Sequence, residues 1–193
     1  MAAIVAGAVL GAVLLRGGDS GTSTKTTTTN YNALPGVRKI KAPWSQDYTF
    51  LADRLLPLGL TTLSGHSGLQ LHFHAHLDIF VNGKHVAVPA LVGINTGAGY
   101  LTELHTHDAS GVIHIEAQNP RQFTLGQFVA EWGVFFNSRC MGAYCNGLKW
   151  YVNGKQQTGN PETLALNPHQ EIAIVIGKPP AQIPSSYKFS PGE

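Results

Sequence analysis

From Leu69 to Val88 the apolar residues fall on every second position. Phe73, Ala75, Leu77, Ile79 and Val81 alternate with His72, His74, His76, Asp78 and Phe80. Successive side chains of a strand point to opposite faces, so this pattern predicts a strand with one core face and one largely polar face. Asn82-Gly83 predicts a type I′ hairpin turn, and His85 to Val88 is the returning arm. Gly111 to Ala117 repeats the alternation: Ile113 and Ile115 point one way, His114 and Glu116 the other.

Helical spacing replaces this period in two places. Tyr48, Leu51, Ala52 and Leu55 predict a short helix over 46–56, capped by Ser45 and ended by Pro57 and Gly59. Leu125, Phe128, Val129 and Trp132 predict a second helix, with Thr124 and Gln127 as a capping box and Gly133 as its stop. Its apolar stripe reads as core packing. The run 148–155 (LKWYVNGK) echoes 77–84 (LDIFVNGK), so a second hairpin is expected on the same turn. Glu171 to Ile176 is a last buried strand, and 179–193 an extended tail. The order hairpin, strand, helix, hairpin, strand predicts an α+β, mainly β fold: a β-grasp-like sheet with one packed helix. The histidines then occupy the face away from the helix, open to solvent or covered by the loop 91–104.

The N-terminus differs in character. Ala2 to Leu15 is apolar or Gly throughout, and Arg16 follows. Fourteen helical residues reach about 21 Å, short of the ~30 Å hydrocarbon core. A membrane anchor, an atypical secretory signal and a buried helix are the three readings. The Gly/Ser/Thr-rich run 17–30 that follows has nothing to bury, which favours an anchored extracytoplasmic domain over a buried helix. The expected organisation is a hydrophobic anchor or signal segment over 1–16, a linker over 17–36 and a His-rich domain over 37–193. In that compartment Cys140 and Cys145, the only cysteines, are expected to form a disulfide around a short loop.

Charged residues make up 12% of the chain, about half the usual share, and the net charge is +2 with the basic residues scattered. Nucleic acid is therefore not an expected partner. Histidine is the outlier, with nine residues against 11 carboxylates. His72, His74, His76, His105, His107 and His114 fall within 43 residues on or beside the polar face of the predicted strands. Residues i and i+2 of a strand lie about 6.5–7 Å apart, so two imidazoles can converge on one ion. His72 to His76 spans about 13 Å, too far for all three to serve one ion without a bulge. The six form the ligand pool, with three or four expected in any one site. Glu103, Asp108 and Glu116 are candidates to accept the imidazole N–H groups behind the metal. His66, His85 and His169 read as solvated surface residues. An imidazole set without thiolate points to copper first and zinc second.

Four stretches carry a resemblance: HFHAHLDIFVNGK (72–84), HTHDASGVIHIEA (105–117), FTLGQFVAEWGV (123–134) and GKPPAQIPSSYKF (177–189). They resemble a family of N-terminally anchored, His-rich bacterial extracytoplasmic proteins, which implies the location and no particular activity. TLGQF…EWG followed by YVNGK is similar to the β-grasp domain at the C-terminal end of transcobalamin, which implies the fold alone. LQLHFHAH and ELHTHD resemble the zinc strands of α-type carbonic anhydrases. That likeness implies His72, His74 and His105 as ligands with Glu103 behind them, although the rest of that signature is missing. The resulting expectation is a membrane-tethered extracytoplasmic protein that binds copper or zinc for buffering, delivery or sensing, with a metal-delivery partner. The alternatives are a His-ligated metalloenzyme for hydration or oxidation, and an accessory subunit of a membrane complex.

Overall fold

The computed structural model describes residues 29–193. The segment 1–16 and most of the expected linker lie outside the described residues. The strands are β1 (Thr62–Leu63), β2 (Leu71–Val81), β3 (Lys84–His85), β4 (Ile94–Asn95), β5 (Tyr100–Thr102), β6 (Leu104–His105), β7 (Val112–Ala117), β8 (Leu148–Val152), β9 (Lys155–Gln156) and β10 (Glu171–Ile176). The helices are α1 (Leu51–Leu58) and α2 (Leu125–Trp132). The fold is α+β and mainly β, as the periodicity predicts.

The main sheet has the order β6-β7-β2-β10-β8-β9, with β3 paired to the end of β2. Its central pair, β2 and β10, is parallel, and the flanking pairs are antiparallel. A parallel pair needs a crossover, and α2 lies within it. This is the β-grasp arrangement. Asn82 and Gly83 have φ of 51° and 80°, and Asn153 and Gly154 have 49° and 76°. Both hairpins therefore turn where left-handed backbone is tolerated.

Ala75, Leu77, Ile79, Ile113, Ile115, Ile172 and Ile174 are buried on one face of the sheet. Phe128, Val129 and Trp132 of α2 join them in the core. Thr124 and Gln127 form the expected capping box, and Gly133 ends the helix in the left-handed region. The first helix begins later than its apolar spacing predicts, at Leu51 rather than 46. Asp47 accepts a hydrogen bond from the Thr49 N–H at 2.9 Å, and this local turn competes with helix. Pro57 lies inside the last turn instead of ending it, and Gly59 is the stop.

Residues ahead of 37 make contacts of their own. Tyr31–Ala33 forms a 3-10 turn. The Asn32 side chain donates to Phe136 O at 2.7 Å and accepts from Phe136 N at 2.8 Å. The buried Arg54 guanidinium donates to Pro35 O, Asp47 O and Glu131 O at 2.9–3.2 Å. It ties the lead-in, α1 and α2 together.

Cys140 and Cys145 form a disulfide. Closing so short a loop restrains the unfolded chain by about 2 kcal/mol in the chain-entropy account. Among the described residues no helix is long and apolar enough to cross a membrane.

The 91–104 segment, one of the expected coverings, touches the polar face at Thr102, whose carbonyl accepts the His105 Nδ1–H at 2.8 Å. It contributes β4 and β5 to a separate small sheet of order β1-β5-β4. The C-terminal tail also lies against this face: the Tyr187 ring stacks on His76 at 3.8 Å, and Phe189 leans on His169 at 4.9 Å.

Candidate metal centre

Strand register sets the histidines in rows across the polar face. His74 on β2 stands opposite His114 on β7, and His114 stands opposite His105 on β6. The adjacent row pairs His72 with Glu116. Directly opposed residues of antiparallel strands keep their Cβ atoms about 4.5–5.5 Å apart, so pairing alone brings the imidazoles together. His107 follows β6, its ring 4.8 Å from His105 and 4.4 Å from His114.

The ring nitrogens converge. His74 Nε2 lies 3.2 Å from His72 Nε2 and 2.9 Å from His114 Nδ1. A neutral imidazole nitrogen carries one proton or one lone pair. His74 Nε2 can therefore make one well-aligned hydrogen bond, not two. A cation among the three nitrogens removes the conflict, because each then presents a lone pair to it. Tetrahedral zinc with bonds of 2.0–2.1 Å spaces its ligand nitrogens about 3.3–3.4 Å apart, close to what is found. The ligand atoms of His72, His74 and His114 lie within 4.8 Å of one another, and so do those of His105, His107 and His114. Both groups could hold a metal ion, and His114 belongs to each.

Burial favours the neutral form, the one that ligates metals, at His74, His105 and His114. Burial, then the neighbouring imidazoles His105, His74, His107 and His72, push the His114 pKa down to about 3. Burial pushes His105 down to about 4 against the opposing charge of Glu116. Burial and then His72 lower His74. The unfolded chain takes up protons on such groups below about pH 6.5, while the folded chain resists until the lower values. The contributions of His105 and His114 to stability are therefore lost progressively as pH falls from about 6.5 toward 4 and 3 respectively. In the metal-free protein the His105 and His114 ring signals should remain those of neutral imidazole at pH 5, with titration only near 4 and 3. An NMR pH titration checks this, and midpoints near 6.5 would contradict it.

His76 does not join the cluster. Its Nδ1–H donates to Glu171 Oε2 and its Nε2–H to Ser110 O, each at 2.8 Å. Burial alone would lower its pKa, but the Glu171 hydrogen bond and charge, with Ser110 O and Asp78, outweigh this and raise it. His76, Asp78 and Glu171 also bring ligand atoms within 4.8 Å, yet both ring nitrogens of His76 already have acceptors. The group reads as a buried ion pair. The physical reason for its separation is the strand rise: two residues beyond His74, the ring faces β10 instead of the histidine row.

The expected carboxylate acceptors also divide. Glu103 pairs with Arg121 through both oxygens and accepts the Thr61 N–H at 2.9 Å, so it serves the fold rather than an imidazole. Asp108 accepts the Ser110 N–H at 2.9 Å, and its hydrogen bonds to Ser110 hold its pKa below the usual carboxylate value. Glu116 alone stands among the histidines, fully buried. The carbonic-anhydrase-like set is not the tight one either, because His114 stands between the positions of His74 and His105.

His66, read from the sequence as solvated, reaches the centre. Its Nδ1–H donates to Glu116 Oε2 at 2.8 Å, and its ring is 6.3 Å from that of His107. No periodicity marks a turn residue; its position follows from Gln70 N–H bonding to Ala117 O, which folds the preceding turn over the end of β7. His85 is exposed beside Asp78 at 3.0 Å, and His169 bonds Glu193 O at 3.0 Å. The rim of the cluster is completed by 190–193, which close part of a cleft of about 380 Å³ lined also by His66, His72, His107 and Glu116.

Comparison with protein-family models, with curated proteins and with solved structures finds no match to this chain.

Proposed function

We propose that this chain is a metal-binding protein of an extracytoplasmic compartment, tethered through its N-terminal segment, which holds a copper or zinc ion for buffering, delivery or sensing. One observation carries the reading: His72, His74 and His114 aim three nitrogens at a common point at spacings that protons alone do not satisfy. Neutral imidazoles bind Cu(II) most strongly among the common divalent ions and bind zinc well. The Cys140–Cys145 disulfide supports an oxidising compartment. It also leaves both thiols out of the ligand set, and Met141 is packed in the core.

The cleft above the histidines supports a second reading. An ion held by three imidazoles with one side open could activate water or bind a small substrate there. Glu116 is the carboxylate placed to accept a proton.

Elemental analysis of untagged protein after exposure to copper and zinc tests the binding itself. The wild type is expected to retain metal, and a His74→Ala/His107→Ala variant much less. Equal, negligible metal in both would overturn both readings. Turnover of a hydration or oxidation substrate that depends on the loaded metal would favour the second.

A further inference from the structure

Resting on that metal-binding reading, we propose that Glu116 is itself an anionic ligand of the centre and that His66 holds its carboxylate in position. From the sequence, Glu116 is expected only to accept an imidazole N–H behind the ion. The atoms favour direct ligation. Glu116 is fully buried, and Oε2 accepts from His66. Oε1 is buried with no hydrogen-bond partner among the described residues. It faces His72 Nε2 at 3.4 Å, and His105 Nε2 and His114 Nδ1 at 3.9 Å each.

His105 sharpens the case. Its Nδ1–H donates to Thr102 O at 2.8 Å, so its Nε2 carries the lone pair in the neutral ring. That nitrogen is also buried, with no hydrogen-bond partner among the described residues. Two buried acceptors thus face each other 3.9 Å apart, neither with a donor among the described residues. An unsatisfied buried acceptor is costly, and a buried carboxylate oxygen more so. A cation satisfies both. Two ligands with bonds of 2.0–2.2 Å can lie up to about 4.3 Å apart on one ion, and each Glu116 Oε1 distance falls inside that limit.

A carboxylate changes what the site selects. It lowers the charge of the loaded centre by one, and a hard oxygen donor disfavours soft Cu(I). The site should prefer a divalent ion, Cu(II) or Zn(II), to Cu(I). His66 is more than half exposed, so it orients the carboxylate from the rim and contributes little to the core.

The test uses the full chain with Zn(II), Cu(II) and Cu(I), each measured by competition with a chelator, and the Cu(II) EPR spectrum. Glu116→Gln keeps the side-chain shape and removes the charge. It should weaken Zn(II) and Cu(II) binding by roughly 100-fold and alter the EPR parameters, with a smaller effect on Cu(I). His66→Ala should weaken divalent binding by about 10-fold, in the range found when a ligand's supporting group is removed. Circular dichroism of the metal-free variants checks the fold, and if Glu116→Gln does not fold, His66→Ala decides. Unchanged divalent affinity and EPR spectra in both variants, with His74→Ala still losing metal, would overturn this proposal and leave the metal-binding reading standing. A loss in Glu116→Gln without any in His66→Ala would overturn the positioning role of His66. Absence of binding by the wild type would remove both readings.

Discussion

His114→Ala should abolish tight metal binding while the domain stays folded. His114 is the one residue shared by both histidine groups, and its Nδ1 lies 2.9 Å from His74 Nε2, closer than His72 Nε2 does at 3.2 Å. Removing a group that merely supports a ligand costs about 10–100-fold in metal affinity, so removing this ligand should cost at least roughly 100-fold. The apo fold should survive. His114 lies on the polar face, opposite the core that Ile113 and Ile115 build, and its loss relieves crowding among neutral rings. Thermal unfolding with and without metal reads the effect. At a free metal concentration 100 times Kd, the wild type should gain about 2.7 kcal/mol. For a chain of this size that is a rise of roughly 5–10 °C in Tm. The variant should show almost none. His85→Ala, whose exposed ring lies beside Asp78 and Phe80, should keep the full rise. A metal-dependent rise in His114→Ala equal to that of the wild type would place the ion elsewhere.

Arg54→Ala should be strongly destabilising. The side chain is 1% exposed and donates to carbonyls of three separate segments: Pro35, Asp47 and Glu131. Burial lowers the guanidinium pKa, while the charges of Glu131 and Asp47 oppose that. Truncation leaves those carbonyls without donors, at about 1–3 kcal/mol for each buried one, and opens a cavity between α1 and α2. The loss should be about 3–5 kcal/mol, similar to breaking other buried charged networks. Urea unfolding measures it, with a lower midpoint and an unchanged slope expected. Arg54→Lys should recover only part, because an ammonium cannot fan its donors over acceptors so far apart. A loss below about 1 kcal/mol in Arg54→Ala would mean that water replaces the guanidinium at these carbonyls.

Much of this architecture is legible along the chain. Period-two alternation marks β2 and β7, Asn-Gly marks both hairpins, and the capping box places α2. These signals are local: each depends on residues a few positions apart, whose spacing the backbone period converts directly into a face or a turn. The short helix shows the limit. Its apolar spacing fits 46–56, but a turn at Asp47 and the tolerance of Pro57 in a last turn shift it to Leu51–Leu58.

The histidine face follows the same division. Alternation alone puts His72, His74, His76, His114 and Glu116 on the side of the sheet away from the core. It does not say which of them meet. Pairing of β2 with β7 and of β7 with β6 decides that His74, His114 and His105 form one row, and pairing with β10 assigns His76 to Glu171. Only tertiary structure brings His66 to Glu116, sends Glu103 to Arg121 and lays 190–193 along the cleft. The physical reason is one of range. A residue's face is set by its own backbone torsions, whereas its neighbour across the sheet is set by which strands bury the most apolar surface together, a property of the whole chain.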